Sequence, residues 1–515
     1  MQKLIPLVVA LVLSFAAASV QAQSADQVID RHIKAVGGSK SLVKIVSTNL
    51  SGTIVQLPDG RAGYFNLQLK RPNQLYAEYG WDGDVWSEAY NGQSAWRHDS
   101  RDGLRTLTGP EAVRVQTEAV YRNDRFIAYK KEKTRAVLLG RDQVRGRPAF
   151  VVELTSRDGI KRKVFFDAAS YLVLKEEQQT EAGAESLLFD DYRPVDGIME
   201  PHNIERRLPD RAVHITVERV THNVGVNDQV FNFPTSAGDP LPDAGPLFVE
   251  ALQNQDKIDK AVEYYAYTET EIKKEIDNTG RIKVAETNVY EVFHLDGDPV
   301  RKLVKKNGRE LSEKEKREED ERIQEIIRDH EKDKAEEAKR RAKEERKRQE
   351  QIAKGKQPKA DDPDDEDFEI AQFLRISQFT NPRRERFRGR DVIVFDFGPK
   401  PDFKPKNRTE SLISKLVGVA WIDEKQRRVT RLEARFNDNM KFGAGLLASL
   451  HKGSAFVFEQ DLINNEAWLP TYREINMSAR VLLFKGLKMF ATWQFSDYKK
   501  FSVESDYKIK QPQQD

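Results

Sequence analysis

His202 and Glu205, three residues apart in His202-Asn203-Ile204-Glu205, have a spacing that could hold a metal ion. The eight histidines (32, 98, 202, 214, 222, 294, 330 and 451) are otherwise dispersed, and no HExxH pair occurs. His202 also falls in a run with strand periodicity and no further ligands, so no metal is expected. Phosphate chemistry fails similarly. Gly37-Gly38-Ser39-Lys40-Ser41 lacks the glycine that precedes a P-loop lysine. Gly443-Ala444-Gly445-Leu446-Leu447-Ala448 fits GxGxxA, but no buried parallel strand leads into it; it reads as a small-residue helix or lid. No Gly-x-Ser-x-Gly elbow exists. Cysteine is absent, which excludes disulfides, thiolate metal sites, Fe–S clusters and cysteine nucleophiles. Carboxylate pairs are uninformative in a chain that is 33% charged. The expectation is a protein that is not an enzyme and uses no cofactor.

Two features rise above this background. The first is apolar strand faces. Leu487, Met489, Ala491, Trp493 and Phe495 alternate without a polar break, and Phe456 with Phe458 make a similar pair. Toward the N-terminus, Phe65, Leu67 and Leu69 alternate ahead of Trp81, Trp86 and Trp96. A curved sheet this apolar on its concave face is either filled by helices or holds a hydrophobic ligand. The second is Arg384, Arg386, Arg388 and Arg390, which alternation places on one face of an extended strand. Guanidinium groups there suit a lipid phosphate or an acidic partner surface.

These residues must be positioned by more than one domain, since 515 residues suit two to four. Residues 1–22 read as a signal peptide, with Lys3, an apolar run from Leu4 to Val20 and a small-residue site before Gln23. No later stretch is apolar enough to span a membrane, so an exported, soluble, periplasmic protein is expected. Lys+Arg 85 against Asp+Glu 83 gives +2, which offers no electrostatic case for nucleic acid. Ser24 and Gln27 have capping-box spacing ahead of a helical stripe, Val28, Ile29, His32, Ile33 and Val36, that Gly37-Gly38 stops. From Ile45 to about Phe233 the period is two, as in an antiparallel sheet with one apolar face. This predicts a first domain over 23–234, a linker over 235–246 and a second domain over 247–511. The second is interrupted by a charged single helix over 312–354, opened by a Ser312/Glu315 capping box, and an acidic linker over 355–367.

The two halves read as copies. Arg145-Gly146-Arg147 precedes an apolar strand, as does Arg388-Gly389-Arg390. Strands ending in Asp167 and Asp423 each meet a tight turn, and Met199-Glu200-Pro201-His202 parallels Trp468-Leu469-Pro470-Thr471. The stretches VIDRHIKAVGG (28–38), SGTIVQLPDGRAGYFNLQLKRPNQL (51–75), RGRPAFVVELTSRDGIKRKVFFDAASYLVLKEE (145–177) and DYRPVDGIMEPHNIE (191–205) resemble the periplasmic carriers of outer-membrane lipoproteins, the LolA/LolB-like family, in its lipoprotein-sorting type. The resemblance covers the first domain closely and the second distantly. It implies an α+β fold of two tandem curved antiparallel open barrels, or half-barrels, with short helices on the concave side, the second of them interrupted by the long charged helix read above. It also implies a pocket for acyl chains and a gating arginine, to which no residue here is assigned. The function expected is therefore a periplasmic lipid-binding or lipoprotein-carrier protein of outer-membrane biogenesis. Its partners would be acyl chains or lipid, with an envelope protein engaging the 312–354 helix. An envelope sensor or scaffold that uses the half-barrels to recognise protein is the alternative.

Overall fold

The computed structural model describes residues 23–180, 183–234, 240–276, 282–353, 375–442, 448–481 and 487–500. The expected signal peptide, the 355–367 linker, most of the Gly443–Ala448 motif and the end of the second domain beyond 500 lie outside them. The chain forms two compact units: residues up to Glu88 with Gly109–Asn227, and Ala89–Thr108 with everything from Asp228.

The first unit opens with α1 (Ala25–Ala35) and α2 (Ser39–Leu42). Ser24 and Gln27 cap α1 reciprocally, each backbone N–H donating to the other's side chain, at 3.0 and 3.2 Å. Val28 and Ile29 on its inner face are fully buried among Phe150, Val152, Val164 and Phe166. Four strands follow, β1 (Ser47–Leu57), β2 (Ala62–Lys70), β3 (Gln74–Trp81) and β4 (Asp84–Tyr90), then the hairpin β5 (Ala95–Asp99) and β6 (Gly103–Thr106). A helix absent from the sequence expectation, α3 (Gly109–Asp124), precedes β7 (Arg135–Val144), β8 (Arg147–Thr155), β9 (Lys161–Asp167) and β10 (Val173–Thr180). Then come β11 (Gly183–Val195), β12 (Ile198–Arg207) and β13 (Ala212–His222). The sheet runs β4-β3-β2-β1-β13-β12-β11-β10-β9-β8-β7 and stays open.

The second unit begins with α4 (Ala244–Val262), capped by Asp243, so the last residues of the expected linker are helical. It continues through β14 (Tyr265–Ile276), β15 (Ile282–Leu295), β16 (Asp298–Lys306), β17 (Arg309–Glu310) and α5 (Glu313–Ala353). After β18 (Ser377–Phe387) and β19 (Arg390–Pro399) come α6 (Arg408–Ile413), β20 (Leu416–Asp423), β21 (Val429–Phe436) and a short ribbon, β22 (Met440–Phe442) with β23 (Ala448–Leu450). The last three strands are β24 (Ala455–Ile463), β25 (Ala467–Val481) and β26 (Leu487–Lys500). The open antiparallel order is β17-β16-β15-β14-β26-β25-β24-β21-β20-β19-β18. Leu247, Phe248 and Ala251 of α4 pack on Ile393, Phe395 and Ile422, as α1 packs in the first unit.

The strand orders coincide position by position, with β14, β26, β25, β24, β21, β20, β19 and β18 standing for β1, β13, β12, β11, β10, β9, β8 and β7. Details repeat as well. Arg145-Gly146 and Arg388-Gly389 both turn the chain with positive φ, 48° and 79° against 48° and 80°. Asp167 accepts the backbone N–H of Ala169 and Ser170, and Asp423 those of Lys425 and Gln426. The equivalence puts α5 in the place of α3. Its first turns dock on β16, where Glu319 accepts the Leu303 N–H at 2.7 Å and Ile323 is buried.

The hairpin of Ala89–Thr108 belongs to the second unit although the sequence places it in the middle of the expected first domain. Asp396, wholly buried, accepts hydrogen bonds from Asn91 (3.0 Å), Ser94 (2.9 Å), Asn381 (2.9 Å) and Arg383 (3.1 Å). Glu385 accepts the Thr106 N–H at 2.9 Å, and Arg435 donates to the Tyr90 hydroxyl at 2.8 Å.

Candidate ligand-binding site

The first unit encloses a cavity of about 280 Å³ between α3 and the concave face of its sheet. One wall is apolar. Phe65, Leu67 and Leu69 of β2, Leu75 and Ala77 of β3 and Trp86 of β4 line it. Of the residues the sequence singled out here, Phe65, Leu67, Leu69 and Trp86 come together. Trp81 does not line the cavity; it stacks on Tyr79, ring centroids 6.1 Å apart. Trp96 lies in the second unit, buried, its indole N–H donating to the Phe231 carbonyl at 3.0 Å.

The opposite wall is charged. Arg114, Glu118, Tyr121 and Arg122 recur at helical spacing on one face of α3, and Arg162 and Glu176 face them from β9 and β10. Arg122 donates to both Glu176 oxygens (3.1 and 2.6 Å) and to Glu118 (2.6 Å). Arg162 bonds Glu118, Glu176 (3.0 Å) and Gln178 (2.9 Å), and the Tyr121 hydroxyl donates to Glu176 at 2.7 Å. Burial acts to raise the Glu118 carboxyl, but Arg122 and Arg162 hold it well below the usual carboxylate range. Burial and then Glu176 push the Tyr121 hydroxyl well up. Two guanidinium groups thus balance two carboxylates.

The other arginines of this cavity are also matched: Arg114 by Glu88, Arg125 by Glu200 at 2.6 Å and Arg206 by Glu185 at 2.7 Å. The sequence reading missed this wall. Its signals were the Glu118/Arg122 pair at i,i+4 and Arg162 in phase with Val164 and Phe166, neither of which the sequence reading took up.

His32 lines the same cavity from α1, its Nδ1 2.9 Å from the Tyr171 carbonyl and its ring edge-on to Phe126 and Phe166. Burial pushes its pKa down to about 4, whereas burial pushes Asp124, at the end of α3, up to about 6. The signs oppose. Unfolded His32 titrates near 6.5 and folded His32 near 4, so between those values the unfolded chain binds the extra proton and stability falls as pH drops. For Asp124 the folded chain binds the extra proton between 3.8 and about 6, so acidification stabilises. Urea titrations between pH 7 and 4 will show a shallow dependence for the wild type. Asp124→Asn, which removes the offset, will steepen the loss on acidification by on the order of 2 kcal/mol. An unchanged slope counts against this balance.

The second unit carries a wider groove, about 760 Å³, over β21, β24, β25 and β26. Phe456, Phe458, Trp493 and Phe495 line it as the alternation implied, joined by Leu432, Ile475 and Met477. Met489 is half-buried and pairs with Met477 across the strands, but it does not line the groove. The Leu487 side chain lies outside the described residues. The Trp493 indole N–H donates to Glu271 at 2.8 Å, which fixes the ring.

The four arginines do not share one strand face. β18 ends at Phe387, Arg388-Gly389 is the turn and Arg390 opens β19. Arg384 pairs with Glu424 at 2.9 Å, Arg388 with Glu459 and Arg390 with Asp461 at 3.0 Å, while Arg386 donates to the Gly389 carbonyl at 3.5 Å. Alternation failed because a reversal lies inside the run.

No family model matches the chain, and no curated protein matches it. Among solved structures, it is similar to a DUF1329-family protein from Desulfovibrio piger, at 14% identity over 40% of this chain and 97% of that one, with a TM-score of 0.30. It is similar to a LolA-superfamily protein from Nitrosomonas europaea at 14% identity over 41% and 98%, TM-score 0.30. It is also similar to the MucA/MucB complex of Pseudomonas aeruginosa at 9% identity over 91% and 94%, TM-score 0.18. No helix among the described residues is long and apolar enough to cross a membrane.

Proposed function

We propose that this protein is a non-catalytic carrier that takes acyl-chain cargo, a lipid or the lipid moiety of a lipoprotein, on the concave faces of its two half-barrels. In this reading it works in the periplasm as part of outer-membrane lipoprotein sorting, with the charged helix meeting an envelope partner. The observation that carries it is that neither concave face is packed solid. The first leaves a cavity of about 280 Å³ with one apolar wall, and the second a groove of about 760 Å³ lined mainly by aromatic and aliphatic side chains. The larger volume lies within the roughly 300–1,000 Å³ typical of ligand pockets. A scaffold that recognised protein through its outer surface would fill both with core.

The test is native mass spectrometry with lipid extraction on the chain from Gln23 onward, purified from the envelope of its own host. Acyl species will co-purify with the wild type and be lost from the Leu67→Asp, Phe458→Asp double variant, whose circular dichroism stays that of the wild type. Wild-type protein that is free of lipid, and still refuses it after delipidation and challenge, ends the carrier reading in favour of the scaffold.

A further inference from the structure

The two concave faces differ in one chemical respect. In the first unit every arginine lining the cavity has its own carboxylate, and the remaining Glu177 pairs with Lys175, so the charges of that site are matched. The equivalent wall of the second unit has lost its charge. Arg162 faces Gln178 and Val164 faces Glu176 across β9 and β10; at the matching positions of β20 and β21, Gly418 faces Ala434 and Ala420 faces Leu432. Among the described residues, none of α5, which stands in the place of α3, lines the groove.

Two arginines do line it. Arg301 is taken up by Glu269 and Glu271. Arg473 is different: among the described residues it makes no ion pair with a carboxylate. Its guanidinium lies instead beside two aromatic rings, 5.8 Å from the centroid of Phe458 and 5.4 Å from that of Phe495. In the strand register it sits directly between Phe458 and Trp493. The carboxylates of the groove bond elsewhere, Glu269 to Arg301 and Glu474 to the Tyr472 hydroxyl at 2.6 Å, although the Arg473 charge is near enough to Glu269 to favour its ionised form. An arginine held against rings keeps its charge and its fork of donors while losing part of its water shell.

We infer that the groove of the second unit selects single-chain anionic amphiphiles, with Arg473 taking a carboxylate or phosphate head group and the chain lying over Phe456, Ile475 and Met477. Charge complementarity commits the groove to this occupant, because a guanidinium that makes no ion pair among the described residues, set over an apolar floor, completes its pairing with the ligand's oxyanion. The inference rests on the proposal that the concave faces take acyl cargo, and adds that the second half-barrel discriminates by head-group charge where the first does not.

The experiment uses the delipidated full chain carrying Leu67→Asp, which puts a carboxylate into the apolar wall of the first cavity, and titrates palmitate, hexadecyl phosphate, hexadecanol and inorganic phosphate by displacement of a fluorescent fatty acid. Palmitate and hexadecyl phosphate will bind at least about tenfold more tightly than hexadecanol. Arg473→Gln will remove that difference and leave hexadecanol unchanged, and Arg473→Lys will restore part of it. Equal binding of palmitate and hexadecanol, to the parent and to Arg473→Gln alike, overturns the head-group assignment and leaves the carrier reading standing. Inorganic phosphate binding as tightly as its hexadecyl ester overturns the amphiphile. Rejection of all three chain ligands by this protein and by the chain without Leu67→Asp removes the carrier reading itself.

Discussion

Asp396→Ala will destabilise the second unit by about 3–5 kcal/mol, the range found when one partner of a buried ion pair is removed. Asp396 is fully buried, and the substitution strands four donors at once: the amides of Asn91 and Asn381, the Ser94 hydroxyl and a guanidinium nitrogen of Arg383. Arg383 is itself 2% exposed and, among the described residues, keeps only Glu385 as counter-charge. The effect will be local before it is global. Hydrogen exchange followed by mass spectrometry will show residues 89–108 and β18–β19 exchanging faster, while β7–β10 keep wild-type rates. Asp396→Asn, which preserves shape and one acceptor, will cost less, about 1–3 kcal/mol. A hairpin whose exchange is unaffected by Asp396→Ala contradicts the account.

Glu176→Leu will lower the stability of the first unit by about 3–5 kcal/mol. The carboxylate is shared by Arg122, Arg162 and the Tyr121 hydroxyl, so its loss leaves the buried Arg162 and the half-buried Arg122 with Glu118 as their one remaining carboxylate among the described residues. Replacing the whole cluster is another matter. Because desolvation works against every buried charge, the quadruple variant Glu118→Leu, Glu176→Leu, Arg122→Met, Arg162→Met will recover most of the loss and reach or exceed wild-type stability. Urea denaturation of both variants beside the wild type decides this. A single variant as stable as the wild type, or a quadruple one no better than the single, means the cluster is not the coupled unit its hydrogen bonds describe.

The parts of this fold written locally were legible. Ser24 with Gln27 and Ser312 with Glu315 are capping boxes in the sequence and in the structure, because the motif needs only residues three apart. The repeat was legible because Asp167 and Asp423 work within their own turns. What depends on long-range phase was not. Arg162 sits in Lys161-Arg162-Lys163 and looks solvated until the sheet closes over one face of it. The α3 helix was passed over although Pro110 and Glu111 suit a helix start and Val115, Ala119 and Asn123 repeat every fourth residue, all three buried. Missing α3 meant missing the charged wall it carries. The arginine run of 384–390 failed the other way. A period of two was extended through Arg388-Gly389, a pair that turns the chain with positive φ just as Arg145-Gly146 does.

The hairpin has a consequence for anyone who would divide this protein. The chain enters the second unit at Ala89, returns to the first at Gly109 and crosses for good at Asp228. A fragment ending at Asn227 would carry Asn91, Ser94 and Thr106 without Asp396 and Glu385, and a fragment beginning at Asp228 would hold those acceptors with no donors from the hairpin. Severed at Asn227, the two pieces are a plug and its socket: products of one gene that must be made together for the second unit to be whole.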